Sequence, residues 1–203
     1  MHKEKIEAMS ESLEPEVVDG RRARSERSKQ AIIDASLALM EGGNLIPTAQ
    51  QISDKAGVGI RSFFRHFDDM ETLFATIDAQ TRAATEALFL GGDRDGTLEE
   101  RILRAIERYS DGYEKQGYKI LATSAQLWRS ETLRKNYARY QRGLRKDLDN
   151  WLPELKQLGR IERGAVDAIA SFDMWHRLRY HQGLSKQTSI DIIVGLINSQ
   201  LKD

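Results

Sequence analysis

Proline interrupts this chain at only three positions, 15, 47 and 153. Long helices exclude proline from their interiors, because its ring removes an amide donor and clashes with the preceding turn. No segment alternates apolar and polar residues with the period of two that a half-buried strand requires. The expectation is an all-α protein. Its 203 residues, 40% hydrophobic and 31% charged, suffice for a helical core under a solvated surface.

Glycines and capping residues divide the chain into about nine helices. A helix is expected from about Ser25 to Glu41, its apolar stripe formed by Ile32, Ala35, Ser36, Leu39 and Met40, and Gly42-Gly43 ends it. Thr48 with Gln51 three residues on forms a capping box for a short helix that Gly57 stops. A second short helix covers about Ile60 to His66, and Asp68-Asp69 cap a long one to about Leu90. Thr97 caps the next, with Gly117 expected to divide it from its successor. A helix from about Glu131 to Leu158 is kinked or restarted at Pro153, and the last two run from about Glu162 to His181 and from Lys186 to Leu201. Residues 1–20 lack periodicity and are expected to form a disordered tail.

Net charge is zero but unevenly spread. Residues 20–66 carry eight basic side chains against four acidic ones, or +4. Residues 1–19 carry −4 and residues 67–100 carry −7. A basic block between acidic ones implies a polyanionic partner for that block alone. The chain has no cysteine, which excludes disulfides and thiolate metal sites. No apolar run is long enough to span a bilayer, and the opening ten residues do not read as a signal peptide. A cytoplasmic setting with no membrane partner is expected.

Helix, short helix, glycine turn and short helix in succession are the pattern of a helix-turn-helix, the second short helix being the one that enters the major groove. The segment 48–74, T-A-Q-Q-I-S-D-K-A-G-V-G-I-R-S-F-F-R-H-F-D-D-M-E-T-L-F, resembles the TetR family of bacterial transcription regulators. The residues carrying the resemblance are Thr48, Ile52, Ala56, Gly57, Val58, Phe64, His66, Phe67 and Leu73. Ser53 stands where the family commonly has alanine, Gly59 where it has a capping serine, Arg61 where it has glycine, Phe64 where it has tyrosine, and Met70 where it has lysine. Beyond this segment the chain resembles the family only in length and helix order.

The resemblance implies a three-helix DNA-binding domain at residues 21–67 and a helical ligand-binding and dimerisation domain at 68–203. It implies a homodimer that represses transcription at a near-palindromic operator and is released by a small molecule. Arg61 can reach guanine bidentately or contact a phosphate. Ser62 can meet a phosphate or base edge, or simply start the helix. Arg65 and His66 are expected at phosphates; Phe64, counted with the DNA-binding residues, lacks the hydroxyl by which the family's commoner tyrosine would contact a phosphate. Thr48 sits at a helix N-terminus, a natural phosphate site. Arg21, Arg22 and Arg24 form an arm that can enter a minor groove or remain a solvated linker.

In the C-terminal part, Phe89, Tyr109, Tyr113, Trp128, Tyr137, Trp151, Phe172 and Trp175 either line an effector pocket or form ordinary core. The expected effector is apolar or aromatic, with Arg129, Arg177 or His176 as a polar anchor. His176 and His181 are five apart and therefore point to different faces of an α-helix, so no metal is expected. The last helix is apolar on two faces, so that one packs within its own subunit and one on a partner. The partner face is assigned to Ile190, Ile193, Val194, Ile197 and Leu201. No catalytic motif occurs and no cofactor or enzyme activity is expected. The rival readings are a constitutive DNA binder without ligand gating, an all-α protein-interaction module, and an all-α enzyme.

Overall fold

The computed structural model describes the backbone of residues 14–201 and the side chains of residues 20–201. Nine α-helices and no strand occur among the described residues: α1 Glu14–Glu41, α2 Ala49–Ala56, α3 Ile60–His66, α4 Met70–Phe89, α5 Leu98–Ser124, α6 Glu131–Trp151, α7 Arg160–Ile169, α8 Phe172–His176 and α9 Lys186–Leu201. A 3-10 turn, Pro153–Gln157, follows α6, and a π turn, Arg177–His181, extends α8. Two compact units result, one ending at Leu73 and one beginning at Phe74.

In the first unit α1 packs on α2 and α3, and α2 packs on α3. Ile32, Ile33, Met40, Ile52, Phe63 and Phe67 are all buried there. Capping fixes the short helices. The Thr48 hydroxyl accepts the Gln51 amide at 3.2 Å, and the Gln51 side chain accepts the Thr48 amide at 2.9 Å. Gly57 closes α2 at φ +66°, where a side chain would be strained. The Val58 amide then reaches back to the Ser53 carbonyl at 3.0 Å, turning the chain into α3. Gly59 gives α3 no side-chain cap, as its lack of a side chain predicts.

In the second unit α9 packs on α5 and α7, and α5 also on α6 and α8. The core runs from Phe89 through Ile102, Ile106, Trp151, Leu155, Val166 and Trp175 to Ile197. Asp147 organises one end of it. Its carboxylate accepts from the Gly91 amide (3.2 Å), Arg94 (2.6 Å), the Tyr109 hydroxyl (3.1 Å) and the Trp151 indole (3.0 Å). Four donors compensate the burial of one charge.

Several boundaries differ from expectation. Helix α1 starts at Glu14 rather than near Ser25, so residues 14–20 are helical; the remainder of the expected tail, 1–13, lies outside the described residues. Gly117 does not divide α5: one glycine costs a helix only about 1 kcal/mol, and packing against Phe172 holds the helix through it. Pro153 does end α6, through the 3-10 turn. The expected helix 162–181 is broken at Ser171, whose hydroxyl caps α8 by accepting the Met174 amide at 3.3 Å.

Candidate nucleic-acid interface

Helix α3 has one buried and one open side. Phe63 and Phe67 are fully enclosed, 5.8 Å apart ring to ring. Arg61, Phe64 and Arg65 are exposed, and Ser62 is half-buried. Residues 61, 64 and 65 are spaced three and four apart, so they form one strip on the helix surface. Arg65 donates to the Ser62 hydroxyl at 3.4 Å, a long contact that leaves most of its guanidinium available. Thr48 is exposed at the start of α2, where unpaired amides face outward. Arg61, Ser62, Phe64 and Arg65, all expected at DNA, thus lie together on α3.

Two expected contacts are corrected. His66 is half-buried, its Nε2 is shut off from solvent, and no described residue bonds to that nitrogen. Burial, with the Arg65 charge beside it, holds the imidazole below the ordinary histidine pKa. With Nε2 turned inward, the imidazole can meet a phosphate only through Nδ1, and it packs beside Phe67, 6.5 Å away ring to ring. Arg21, Arg22 and Arg24 are exposed but helical, within α1. A helix about 10–12 Å wide does not enter a minor groove about 6 Å wide. They present a basic surface, not an extended arm.

The expected effector wall is mostly core. Phe89, Tyr109, Tyr113 and Phe172 pack on one another with centroids 5.4 to 6.5 Å apart. Trp151 and Trp175 are buried with them, whereas Trp128 is 78% exposed. Tyr137 is half-buried on α6. Arg129 and Arg177 are exposed. A half-open cleft of about 220 Å³ does form among Tyr109, Tyr113, Leu144, Leu148, Ala170 and the mouth residues Gln141, Arg142 and Arg145. The hydroxyls of Tyr109 and Tyr113 are engaged by Asp147 and the Ala170 carbonyl, so the cleft meets their rings. Arg145 is held by Asp167 at 2.5 Å, and Arg142 is exposed beside it. Of the residues expected to line a pocket, Tyr109 and Tyr113 line this cleft; its other walls, where α6 meets the break between α7 and α8, carry no signal in residue spacing.

His176 and His181 require a further correction. The π turn carries about one extra residue, so residues five apart share a face. Their rings lie 5.0 Å apart and nearly perpendicular, and His176 also stacks on Tyr180 at 4.9 Å. Burial and the nearby His181 lower the His176 pKa. Among the described residues no group of three metal-ligating side chains assembles. No helix among them is long and apolar enough to cross a membrane.

The residues expected at a dimer face are largely core. Ile190, Ile193 and Ile197 lie within the core of their own unit. Val194 and Leu201 are half-buried against it. The open side of α9 carries Leu196, 39% exposed; elsewhere in this unit Ile161 and Tyr180 are 83% and 62% exposed.

No family model matches the sequence, and no curated protein does. Solved structures do. A transcriptional regulator from Rhodococcus sp. Rha1 superposes with a TM-score of 0.63 at 16% identity, covering 86% of this chain and 96% of its own. A protein proposed to be a transcriptional regulator from Streptomyces coelicolor A3(2) gives 0.56 at 19% identity, covering 84% and 98%. A proposed fatty acid metabolism regulator from Clostridium perfringens gives 0.59 at 16% identity, covering 83% and 97%. Across most of its length, this chain shares the all-helical fold of these three proteins.

Proposed function

We propose that the chain is a cytoplasmic, DNA-binding transcriptional regulator of the TetR type, working as a homodimer on a near-palindromic duplex operator. The observation that carries this reading is the exposed strip Arg61–Phe64–Arg65 on a short helix whose opposite side is locked into the first unit. Such a helix offers guanidinium donors at the spacing of base edges and phosphates. The likeness to three regulators of the same fold supports the reading. Duplex binding measured against salt tests it. Each phosphate neutralised contributes a slope of about −0.9 in log affinity against log salt. About six such contacts per dimer give a slope near −5. A flat dependence, or no duplex binding, rejects the regulator and favours an interaction module.

The regulator is a repressor released by a small apolar or aromatic effector. The cleft of about 220 Å³, walled by tyrosine and leucine, supports this part of the reading. An engineered cavity of about 150 Å³ holds benzene, so the space suits a ligand of one ring with short substituents. Arg142 at the mouth suits an acidic substituent. Binding there and binding to the operator are reciprocally linked, so the effector weakens DNA affinity by the factor that DNA weakens its own.

A further inference from the structure

Phe64 is 51% exposed in the middle of the strip that meets DNA in the proposed function. Its ring is not loose. It stands edge-on to Phe63, 5.2 Å centroid to centroid and at 76°, and Phe63 is fully buried. The first unit therefore holds an apolar face out toward solvent between two arginines. No polar group on the ring can meet a phosphate. In the major groove, the apolar group on the floor is the C5-methyl of thymine.

We infer that Phe64 is a specificity-determining residue that packs on a thymine methyl next to the base pair read by Arg61. The inference rests on the proposed DNA-binding function. Residues 61 and 64 are separated by about 4.5 Å along the helix axis. Successive base pairs are about 3.4 Å apart. With α3 lying along the groove, the two side chains fall on neighbouring base pairs, and the favoured half-site contains a thymine beside the guanine that Arg61 contacts. Ring and guanidinium read different chemistry at neighbouring positions, apolar at one and paired acceptors at the other.

Replacing thymine by uracil removes only the methyl group. The experiment selects bound duplexes from a random library with the full-length protein, then replaces each thymine of the enriched site by uracil in turn. Wild-type protein is expected to lose about fourfold in affinity at one thymine per half-site, the value of one buried methyl group. Phe64→Ala is expected to bind the thymine and uracil duplexes equally. Phe64→Tyr keeps the ring and is expected to retain the discrimination, which separates loss of the ring from a damaged helix. If wild-type protein binds all uracil duplexes as it binds the parent, Phe64 instead lies on sugar or solvent and the inference fails, while the regulator stands. Equal discrimination by wild type and Phe64→Ala places the methyl against another side chain and overturns it too. If no duplex is enriched, the regulator itself is rejected and the inference with it.

Discussion

Single residues divide into those that face a partner and those that hold the face in place. Arg61 is exposed at the second position of α3, and Arg61→Ala should lower operator affinity by about 1–3 kcal/mol while relaxing preference at one base pair per half-site. Binding measured on single-base variants of the operator checks it; a uniform loss across sequences identifies a phosphate contact instead. His66 belongs to the second kind. Its pKa is depressed by burial, so the unfolded chain takes up the proton first. Stability is unaffected well above the ordinary value of 6.5 and falls as pH drops through the window below it. Chemical denaturation at pH 7.5 and 5.5 should show that fall, and His66→Phe should reduce it. The chemistry of α3 was legible in the sequence because the motif fixes which side chains alternate in and out. The role of His66 was not, because burial of one ring nitrogen depends on how α1 crosses α3.

Elements show where local signals suffice and where packing overrides them. Capping boxes at Thr48 and Thr97 and the positive-φ Gly57 sit where residue chemistry alone places them. Gly117 misleads, because a glycine weakens a helix without ending it once a ring packs beside it. Other glycines of α5, α6 and α7 differ in a testable way. A Cβ at Gly112 would lie 2.4 Å from the Phe89 ring, so Gly112→Ala should cost about 1–3 kcal/mol through overpacking. Nothing lies within 4 Å of a Cβ at Gly143 or Gly164, and alanine there should stabilise by about 0.5–1 kcal/mol. Thermal melting of the three variants decides. Helix α9 has two apolar faces in sequence, but periodicity does not say which faces inward. Ile193→Asp should unfold the second unit, since it buries an unpaired charge. Leu196→Asp should keep the fold and shift a dimer toward monomer, as read by light scattering. A folded dimer in that variant moves the interface off α9.

For the whole molecule, opposing charges cancel in sum but not in place. With a formal net charge of zero, the attraction to DNA in the proposed function would come from the arginines of α1 and α3 and weaken with salt. The proposed effector binding adds a second global readout. A ligand at about one hundred times its Kd stabilises the folded chain by about 2.7 kcal/mol. For a chain of this size that raises the melting temperature by about 5–10 °C. The same compound should lower operator affinity, and Arg142→Ala should diminish both effects. Compounds that raise the melting temperature and leave DNA binding untouched would instead identify a constitutive binder.

The π turn after α8 sets how the gene encoding this segment tolerates change. The Gln182 amide bonds to the Arg177 carbonyl at 3.0 Å, five residues back, so the turn holds one residue more than an α-helix would. Arg177 itself is exposed, and a changed codon there alters only surface. A missing codon is a different event. It takes out the extra residue, restores ordinary helical spacing and leaves the side chains beyond the turn in their places. In a plain helix such as α5 the same loss turns every following side chain by about 100°. An in-frame deletion is thus accommodated at this turn and disrupts the fold elsewhere in the helices.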